Sequence, residues 1–305
     1  MMETVAAEPL INLSEIAEIE LFILKRMKDV TLGDHASVSR GPGFNFVGLH
    51  DWEPSDRLSS IDWAQSSLTN FSPMITREFE QNSNATIFAV ADASLSTRCG
   101  AGGTSVAVAI ARSVAAVGLS AALNQDLFGL MAFGEGFRQL AAARPRIGRP
   151  HVLHCIDLYQ QPPVGVVTAT DGRVADAIAA HLRRTSLVPI ISDFLFASAP
   201  DAMKDFARLN AAHDVFLVMA DARFAYQLPP MADGWIQTFD VESGSTRLMS
   251  RREFGRLAAR LEEWQDNILH LAQEAGLDIV RVGLARWDME TTLAAFVAER
   301  RLRKF

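Results

Sequence analysis

Cysteine is nearly absent from this chain of 305 residues, with only 2 present. Cys99 and Cys155 are too few for a disulfide framework, which fits reduced thiols and makes the cytoplasm the expected location. A basic excess is missing as well. The 29 Lys and Arg against 36 Asp and Glu leave a net charge of -7, so the long-range attraction used by nucleic-acid binders is gone and nucleic acid is not an expected partner. No low-complexity tract occurs, and 49% hydrophobic residues with 18 Phe exclude a disordered chain. The first 12 residues carry Glu3 and Glu8 and no basic residue ahead of an apolar stretch, which is not the order of a signal peptide and reads as a frayed arm. The most apolar long window, 106–123, is interrupted by Arg112 and rich in Ala. A membrane span needs ~20 predominantly apolar residues, so a buried helix and no membrane span are expected. Nucleotide signatures are incomplete too. Gly100-Ala101-Gly102-Gly103-Thr104-Ser105 lacks the Lys of a P-loop and reads as a flexible helix entry, and Gly41-Pro42-Gly43 lacks the third glycine of a dinucleotide fingerprint and reads as a turn.

What is present is an ordered alternation. Ser14 is a candidate N-cap for a helix carrying Ile16, Ile19, Phe22, Ile23 and Met27 at helical spacing and ending near Asp29. From Thr31 to Pro73, Gly33, Gly41, Gly43, Gly48 and Pro54 punctuate short Phe- and Val-bearing pieces, which predicts short strands and loops. Beyond this, apolar runs at 86–91, 127–133, 187–191, 215–220, 235–239 and 279–282 predict buried strands. Helical patterns at 105–123, 150–158, 174–184, 200–209, 253–275 and 292–302 lie between and after them. Continuous apolar strands separated by helices imply a mainly parallel sheet covered on both faces, a doubly wound α/β fold. The domain reading is an N-terminal arm and helix at 1–30, an inserted strand-rich segment at 31–83, and an α/β domain at 84–305.

In such folds ligands bind beyond the carboxyl ends of the strands, at a topological switch point. The first strand runs into Asp92-Ala93-Ser94-Leu95-Ser96, a carboxylate and two hydroxyls at alternate positions. The strand at 187–191 ends in Ser192-Asp193, and Thr168-Ala169-Thr170-Asp171 precedes the helix leading into it. All are hard oxygen donors of the kind Mg²⁺ takes while keeping several waters. Taken alone, the Asp-x-Ser-x-Ser run also suits a helix cap or turn.

The order Asp92-x-Ser94-x-Ser96, loop Thr, strand-end Asp193 resembles the metal-ion-dependent adhesion site of von Willebrand factor type A domains. The stretch before it is similar to the bacterial domain-of-unknown-function family fifty-eight, whose motif resembles Arg-Glu-Tyr-x-Pro-Gly-Asp-x-x-Arg-x-Ile-Asp-Trp. Here it reads His50-Asp51-Trp52-Glu53-Pro54-Ser55-Asp56-Arg57-Leu58-Ser59-Ser60-Ile61-Asp62-Trp63, continuing through Arg77-Glu78-Phe79-Glu80. The usual Arg, Tyr, Gly and second Arg are replaced by His50, Trp52, Ser55 and Ser59, with Arg57 two residues before Ser59, and Thr97 stands where a hydrophobic residue often follows the final Ser. The resemblance implies a Mg²⁺ (or Mn²⁺) site built by Asp92, Ser94, Ser96, Thr170 and Asp193, with Thr168 the alternative to Thr170. It also implies partner contacts through Asp56, Arg57, Asp62 and Trp63. Family members are commonly encoded beside MoxR-type AAA+ ATPases. The implied role is therefore an adaptor or assembly factor that works with such an ATPase and a client protein offering an acidic side chain. Relatives in methanol-oxidation gene clusters extend this to maturation of a metal-containing dehydrogenase such as methanol dehydrogenase.

A rival reading makes the chain a Mg²⁺-dependent hydrolase or phosphatase, using Asp92, Asp193 and Asp221, all after apolar strands. Against it, Ser94 stands where a dehalogenase-type phosphatase needs a second Asp, no Lys or His is placed as acid or base, and Asp221 reads as a turn or cap. His151 and His154 beside Cys155 invite a metal reading but lack a fourth ligand nearby. The run Arg144-Pro145-Arg146-Ile147-Gly148-Arg149 reads as a basic loop, and the terminal Arg300-Arg301-Leu302-Arg303-Lys304 cluster suits a helix C-terminus.

Overall fold

The computed structural model of the chain describes residues 9–31, 40–54, 56, 58–80, 85–98, 100–101, 104–161, 174–226, 235–239 and 246–283. The chain divides into two compact units, Met1–Lys25 with Ala85–Phe305, and Arg26–Asn84. In chain order the helices are α1 (Leu13–Thr31), α2 (Trp63–Leu68), α3 (Val106–Leu123), α4 (Arg149–Gln160), α5 (Val174–Ala179), α6 (Ala199–Asn210) and α7 (Arg251–Glu274). The strands are β1 (Arg40–Asp51), β2 (Ile75–Glu80), β3 (Thr86–Asp92), β4 (Gly100–Ala101), β5 (Thr104–Ser105), β6 (Leu127–Gly134), β7 (Gln139–Ile147), β8 (Leu187–Ser192), β9 (Asp214–Ala220), β10 (Trp235–Phe239), β11 (Thr246–Ser250) and β12 (Asp278–Val282). The helix expected at 292–302 lies outside the described residues.

The larger unit is α/β, built on a six-stranded sheet in the order β12-β9-β8-β3-β6-β7. All neighbours run parallel except the β6–β7 pair. The apolar runs form strands because both faces are covered. On one face Phe88, Met131, Ile190 and Leu217 pack with Ile178 of α5, Phe206 of α6 and Ile268 of α7. On the other, Gly118 of α3 lies so close to Phe128 of β6 and Val152 of α4 that a Cβ there would meet their carbons at 2.9 and 2.7 Å. From β3 the chain builds outward to β6 and β7, then returns to β8, β9 and β12 on the other side. The strand order therefore reverses between β3 and β8, whose carboxyl ends flank the switch point. Among the described residues α3 is the one helix long and apolar enough to cross a membrane, and 67% of it is buried inside the protein. Its apolar surface faces sheet and neighbouring helix, as the expected buried helix requires.

Several expectations change. Asn12, not Ser14, caps α1: its side chain accepts from the Glu15 amide at 2.9 Å, and Glu15 Oε2 accepts from the Asn12 amide at 3.0 Å. This reciprocal capping box satisfies two otherwise orphan donors. Of the arm, residues 1–8 lie outside the described residues, but next to α1 it is held, since Ile11 is buried and its amide donates to Gln160 Oε1 at 3.2 Å. Glu15 then reaches Arg112 of α3 at 2.7 Å. The expected basic loop at 144–149 is in large part strand β7. Phe128 faces Arg146 while Leu130 faces Ala143, so a bulge absorbs one extra residue at Arg144-Pro145, where a proline without an amide hydrogen does least harm. The run 235–239 is not part of the main sheet. It forms an antiparallel ribbon with β11, and its alternating exposed and half-buried residues mark a one-sided strand. Helix α5 stops at Ala179 rather than 184, closing through i→i+3 bonds from His181 to Ile178 and from Leu182 to Ala179.

In the smaller unit β1 and β2 pair antiparallel, and the Ile61-Asp62-Trp63 element folds against β2. The Asp62 amide donates to Ile75 O at 2.8 Å. Buried Ser66 of α2 accepts from the Ile75 amide at 2.8 Å.

One substitution made at two helical glycines should act with opposite sign. Gly118→Ala gains about 1 kcal/mol of helix propensity but overpacks the core at a cost of about 1–3 kcal/mol, so the variant should be less stable in chemical denaturation. Gly255→Ala in α7, where nothing lies within 4 Å of the added carbon, should be more stable by about 0.5–1 kcal/mol.

Candidate functional site

Strands β3 and β8 lie side by side with Ala91 opposite Ile191. That register brings Asp92 level with Ser192 and sets Asp193 one residue beyond. Both carboxylates are withdrawn from water, Asp92 at 1% exposure and Asp193 at 3%. A buried carboxylate persists only with hydrogen bonds to take the place of water. Asp92 Oδ2 accepts from the Ser192 hydroxyl at 2.5 Å, and Oδ1 accepts from the Ser94 amide at 3.0 Å. The Ser192 hydroxyl in turn accepts from the Phe194 amide at 2.8 Å. Asp193 Oδ1 accepts from the Leu195 amide at 3.0 Å.

The two exit loops are held from several sides. The Ala93 amide donates to Phe133 O at 2.7 Å. Tyr159 of α4, wholly buried, donates its hydroxyl to Asp92 O at 2.9 Å. Burial, and next the neighbouring Asp92 carboxylate, push the Tyr159 hydroxyl well above its ordinary pKa, so it stays a donor. On the other strand, consecutive residues of α7 hold consecutive carbonyls. Trp264 Nε1 donates to Phe194 O at 2.8 Å, and Gln265 Nε2 donates to Asp193 O at 2.9 Å and to Ala220 O at 3.0 Å. Phe194 takes a left-handed conformation with φ 56°.

Among the residues expected to bind metal, Asp92, Ser94, Ser96 and Asp193 all fall at the carboxyl ends of β3 and β8 or in the turns just beyond. Ser94 and Ser96 are half-buried. Thr168 and Thr170 lie outside the described residues. The donor set is oxygen only, which fits Mg²⁺ or Mn²⁺ and no softer ion. The cap reading of the same run also has its place, because the Asp92–Ser94 bond opens a 3₁₀ turn over Leu95–Arg98. Thr97, at a position where an apolar residue is usual, is buried and returns its hydroxyl to Ser94 O at 2.7 Å. The third strand-end carboxylate of the hydrolase reading is engaged elsewhere: Asp221 accepts from the Arg223 amide at 3.0 Å and pairs with its guanidinium at 2.5 Å. That makes it the expected turn residue.

In the smaller unit, Asp62 is an N-cap, accepting from the Ala64 and Gln65 amides at 3.0 and 3.1 Å and pairing with Arg77 Nε at 2.8 Å. The Arg77 hydrogen bond, first, and these amides hold its carboxyl below the usual range. Asp56 accepts from the Glu53 amide and from His50 Nε2, each at 2.9 Å. Both acids thus hold the segment's own fold, while the Trp63 side chain is 61% exposed. Arg57 lies outside the described residues. His151 and Cys155 stand 3.6 Å apart on α4, but burial pushes the Cys155 thiol up to about 12. A neutral thiol is a poor metal ligand.

Ser192 precedes a carboxylate at a strand end, so register alone finds it. Tyr159, Trp264 and Gln265 carry no sequence signal, because what they do depends on main-chain carbonyls brought close only by folding.

The family model described as "Protein of unknown function DUF58" matches residues 49–263. An uncharacterized protein of Mycobacterium tuberculosis (strain ATCC 25618 / H37Rv) is 28% identical over 293 residues, covering 93% of this chain and 88% of that one. An uncharacterized protein of Mycobacterium bovis matches with the same identity and coverage. Among solved structures, BatB from Bacteroides thetaiotaomicron aligns with a TM-score of 0.43 at 13% identity, over 72% of this chain and 100% of that one. An aerotolerance-related membrane protein from Bacteroides fragilis aligns with a TM-score of 0.45 at 14% identity, over 73% and 100%.

Two outcomes are expected from this geometry. Ser192→Ala, which strips a donor from Asp92 and an acceptor from the Phe194 amide, should lower stability by about 2–3 kcal/mol, and Tyr159→Phe by about 1 kcal/mol, in denaturant titrations. In a Cys99→Ser background, Cys155 should resist a thiol reagent at pH 8 while the chain is folded and react once it is unfolded in denaturant.

Proposed function

The chain belongs to the DUF58 family, and on that footing we propose that it is a metal-dependent protein-binding adaptor or assembly factor acting in the cytoplasm. The reading includes a von Willebrand factor type A-like, doubly wound larger unit, supported by a mostly parallel sheet with one antiparallel edge strand. One observation carries the function: two buried carboxylates, Asp92 and Asp193, emerge from adjacent parallel strands at the place where the strand order reverses.

Asp92, Ser94, Ser96 and Asp193 would hold Mg²⁺ or Mn²⁺, with Thr170 as the loop ligand. Two carboxylates formally balance a divalent cation, but neutral hydroxyls leave it with exchangeable waters, and an acidic side chain of a partner can take the place of one of them. The protein's own part is orientation. Ser192 and the Ser94 amide fix the Asp92 carboxylate, and the Leu195 amide fixes that of Asp193. Tyr159 and Gln265 anchor the carbonyls of the same two residues, so neither ligand has to reorganise on binding, the condition that favours a precise site. The partners are a MoxR-type AAA+ ATPase and a client protein with an exposed acidic side chain, and the work is maturation of the client, a metal-containing dehydrogenase such as methanol dehydrogenase.

Titration of Mg²⁺ and Mn²⁺ into the full chain should give saturable heat and raise the thermal midpoint, since a ligand at 100 times its Kd adds about 2.7 kcal/mol to stability. Asp92→Asn, which keeps the shape of the side chain, should lose both effects, and with them the metal-dependent capture of the ATPase. Unchanged metal binding in Asp92→Asn would overturn the site. Metal binding with capture that ignores metal would overturn the adaptor mechanism.

A further inference from the structure

Away from the strand-end carboxylates, the arginines of β7 meet the histidines of α4. Ala143, Arg144, Arg146, His151 and His154 line a half-open surface depression of about 230 Å³. At ~30 Å³ for each water in the liquid, this space admits a tetrahedral oxyanion together with part of whatever carries it. Four of the five lining side chains bear nitrogen and none is a carboxylate, in a chain whose net charge is -7. Among the described residues none of the four forms an ion pair, whereas Arg149, outside the lining, is matched by Glu20 at 3.1 Å.

The backbone that carries the two arginines is closely fitted. Arg146 sits opposite Phe128 in the β6–β7 ladder. At Gly129 the strands approach so nearly that a Cβ would meet Pro145 N at 2.8 Å and Ala143 O at 2.9 Å. His151 and His154 are one helical turn apart, with ring centroids separated by 6.1 Å. The chemistry is wrong for a cation, because two permanently charged guanidinium groups repel it. It is right for an oxyanion, which guanidinium forks engage through paired, charge-assisted hydrogen bonds while His154 adds an imidazole N–H. The His151 ring, already hydrogen-bonded to the backbones of Arg144 and Phe128, serves as a wall.

We propose that Arg144, Arg146 and His154, with His151 as one wall, form a binding site for a small phosphate dianion, either free or as the phosphate group of a monoester. The histidine pair that suggests a metal from sequence belongs with an anion instead. This site does not depend on the metal reading of Asp92 and Asp193.

The test is calorimetric titration of the full chain with inorganic phosphate and, separately, with phenyl phosphate. Wild type should bind at least one of them saturably, and their relative strength tells a free phosphate from an esterified one. Arg144→Gln and Arg146→Gln should each weaken binding about tenfold or more, as loss of a charge-assisted contact does. Arg149→Gln should stay within about twofold. Should either β7 variant fail to fold, His154→Gln, on an exposed position of α4, replaces it and should weaken binding measurably. Absence of saturable binding to both probes, wild-type affinity in the Arg144 and Arg146 variants, or equal weakening in Arg149→Gln would each overturn the proposal.

Discussion

Every residue of β3, from Thr86 to Asp92, is buried, and the strand is paired on both edges, by β6 and by β8. A central strand of this kind can end in a carboxylate only if protein groups replace the water that a charge requires. The bonds around Asp92 meet that demand, and much of the local structure follows. Ser192 must face Asp92, which fixes the register of β8. Its hydroxyl must also accept from Phe194, which bends the chain beyond Asp193 into its left-handed turn. Helix α7 then completes the arrangement, because the carbonyls exposed by that turn need donors and find them in Trp264 and Gln265. Gln265 also bonds to the end of β9, so one buried side chain ties together the exits of two neighbouring strands.

The family motif shows a similar economy in the smaller unit. Asp62 caps a helix of six residues and pairs with Arg77, fifteen positions on, and its own amide joins β2. A short helix flanked by a bulged two-stranded ribbon has little apolar surface with which to hold itself in place. Polar contacts therefore carry a larger share of its conformation than they do in the α/β unit. This accounts for Asp56 and Asp62 without assigning them a ligand, and leaves Trp63 among the members that face solvent.

How much of this was legible beforehand depended on the kind of signal. Buried parallel strands announce themselves, since a strand covered on both faces needs an unbroken apolar run, and β3, β6, β8 and β9 each lie within a residue or so of their expected bounds, as does the half-buried edge strand β12. Strand β7 escaped notice because an edge strand with alanines, a proline and two arginines has no such run, and its pairing with β6 supplies what its composition does not. The 235–239 segment was legible as a strand but not as a member of a separate ribbon, because its partner β11 is short and mostly exposed. At the site, Asp92 and Asp193 could be read from position in the alternation. Their positioning residues could not, since Tyr159 and Gln265 recognise carbonyl oxygens, and every residue has one. The cap of α1 went to Asn12 because the deciding feature was the Glu15 three residues later, not the nearest serine.

Strand β7 has a further consequence for the molecule among its own copies. Among the described strands it ends the sheet, and an open edge is a template on which a second chain can pair and from which an aggregate can grow. This edge is poorly suited to templating. Pro145 offers no hydrogen to a newcomer, the bulge at Arg144-Pro145 breaks the spacing of the remaining donors, and Arg144 and Arg146 are exposed. A second β7 laid antiparallel across it would bring guanidinium groups against guanidinium groups. The flaw that hides β7 in the sequence thus guards the folded chain against polymerising through this edge of its sheet.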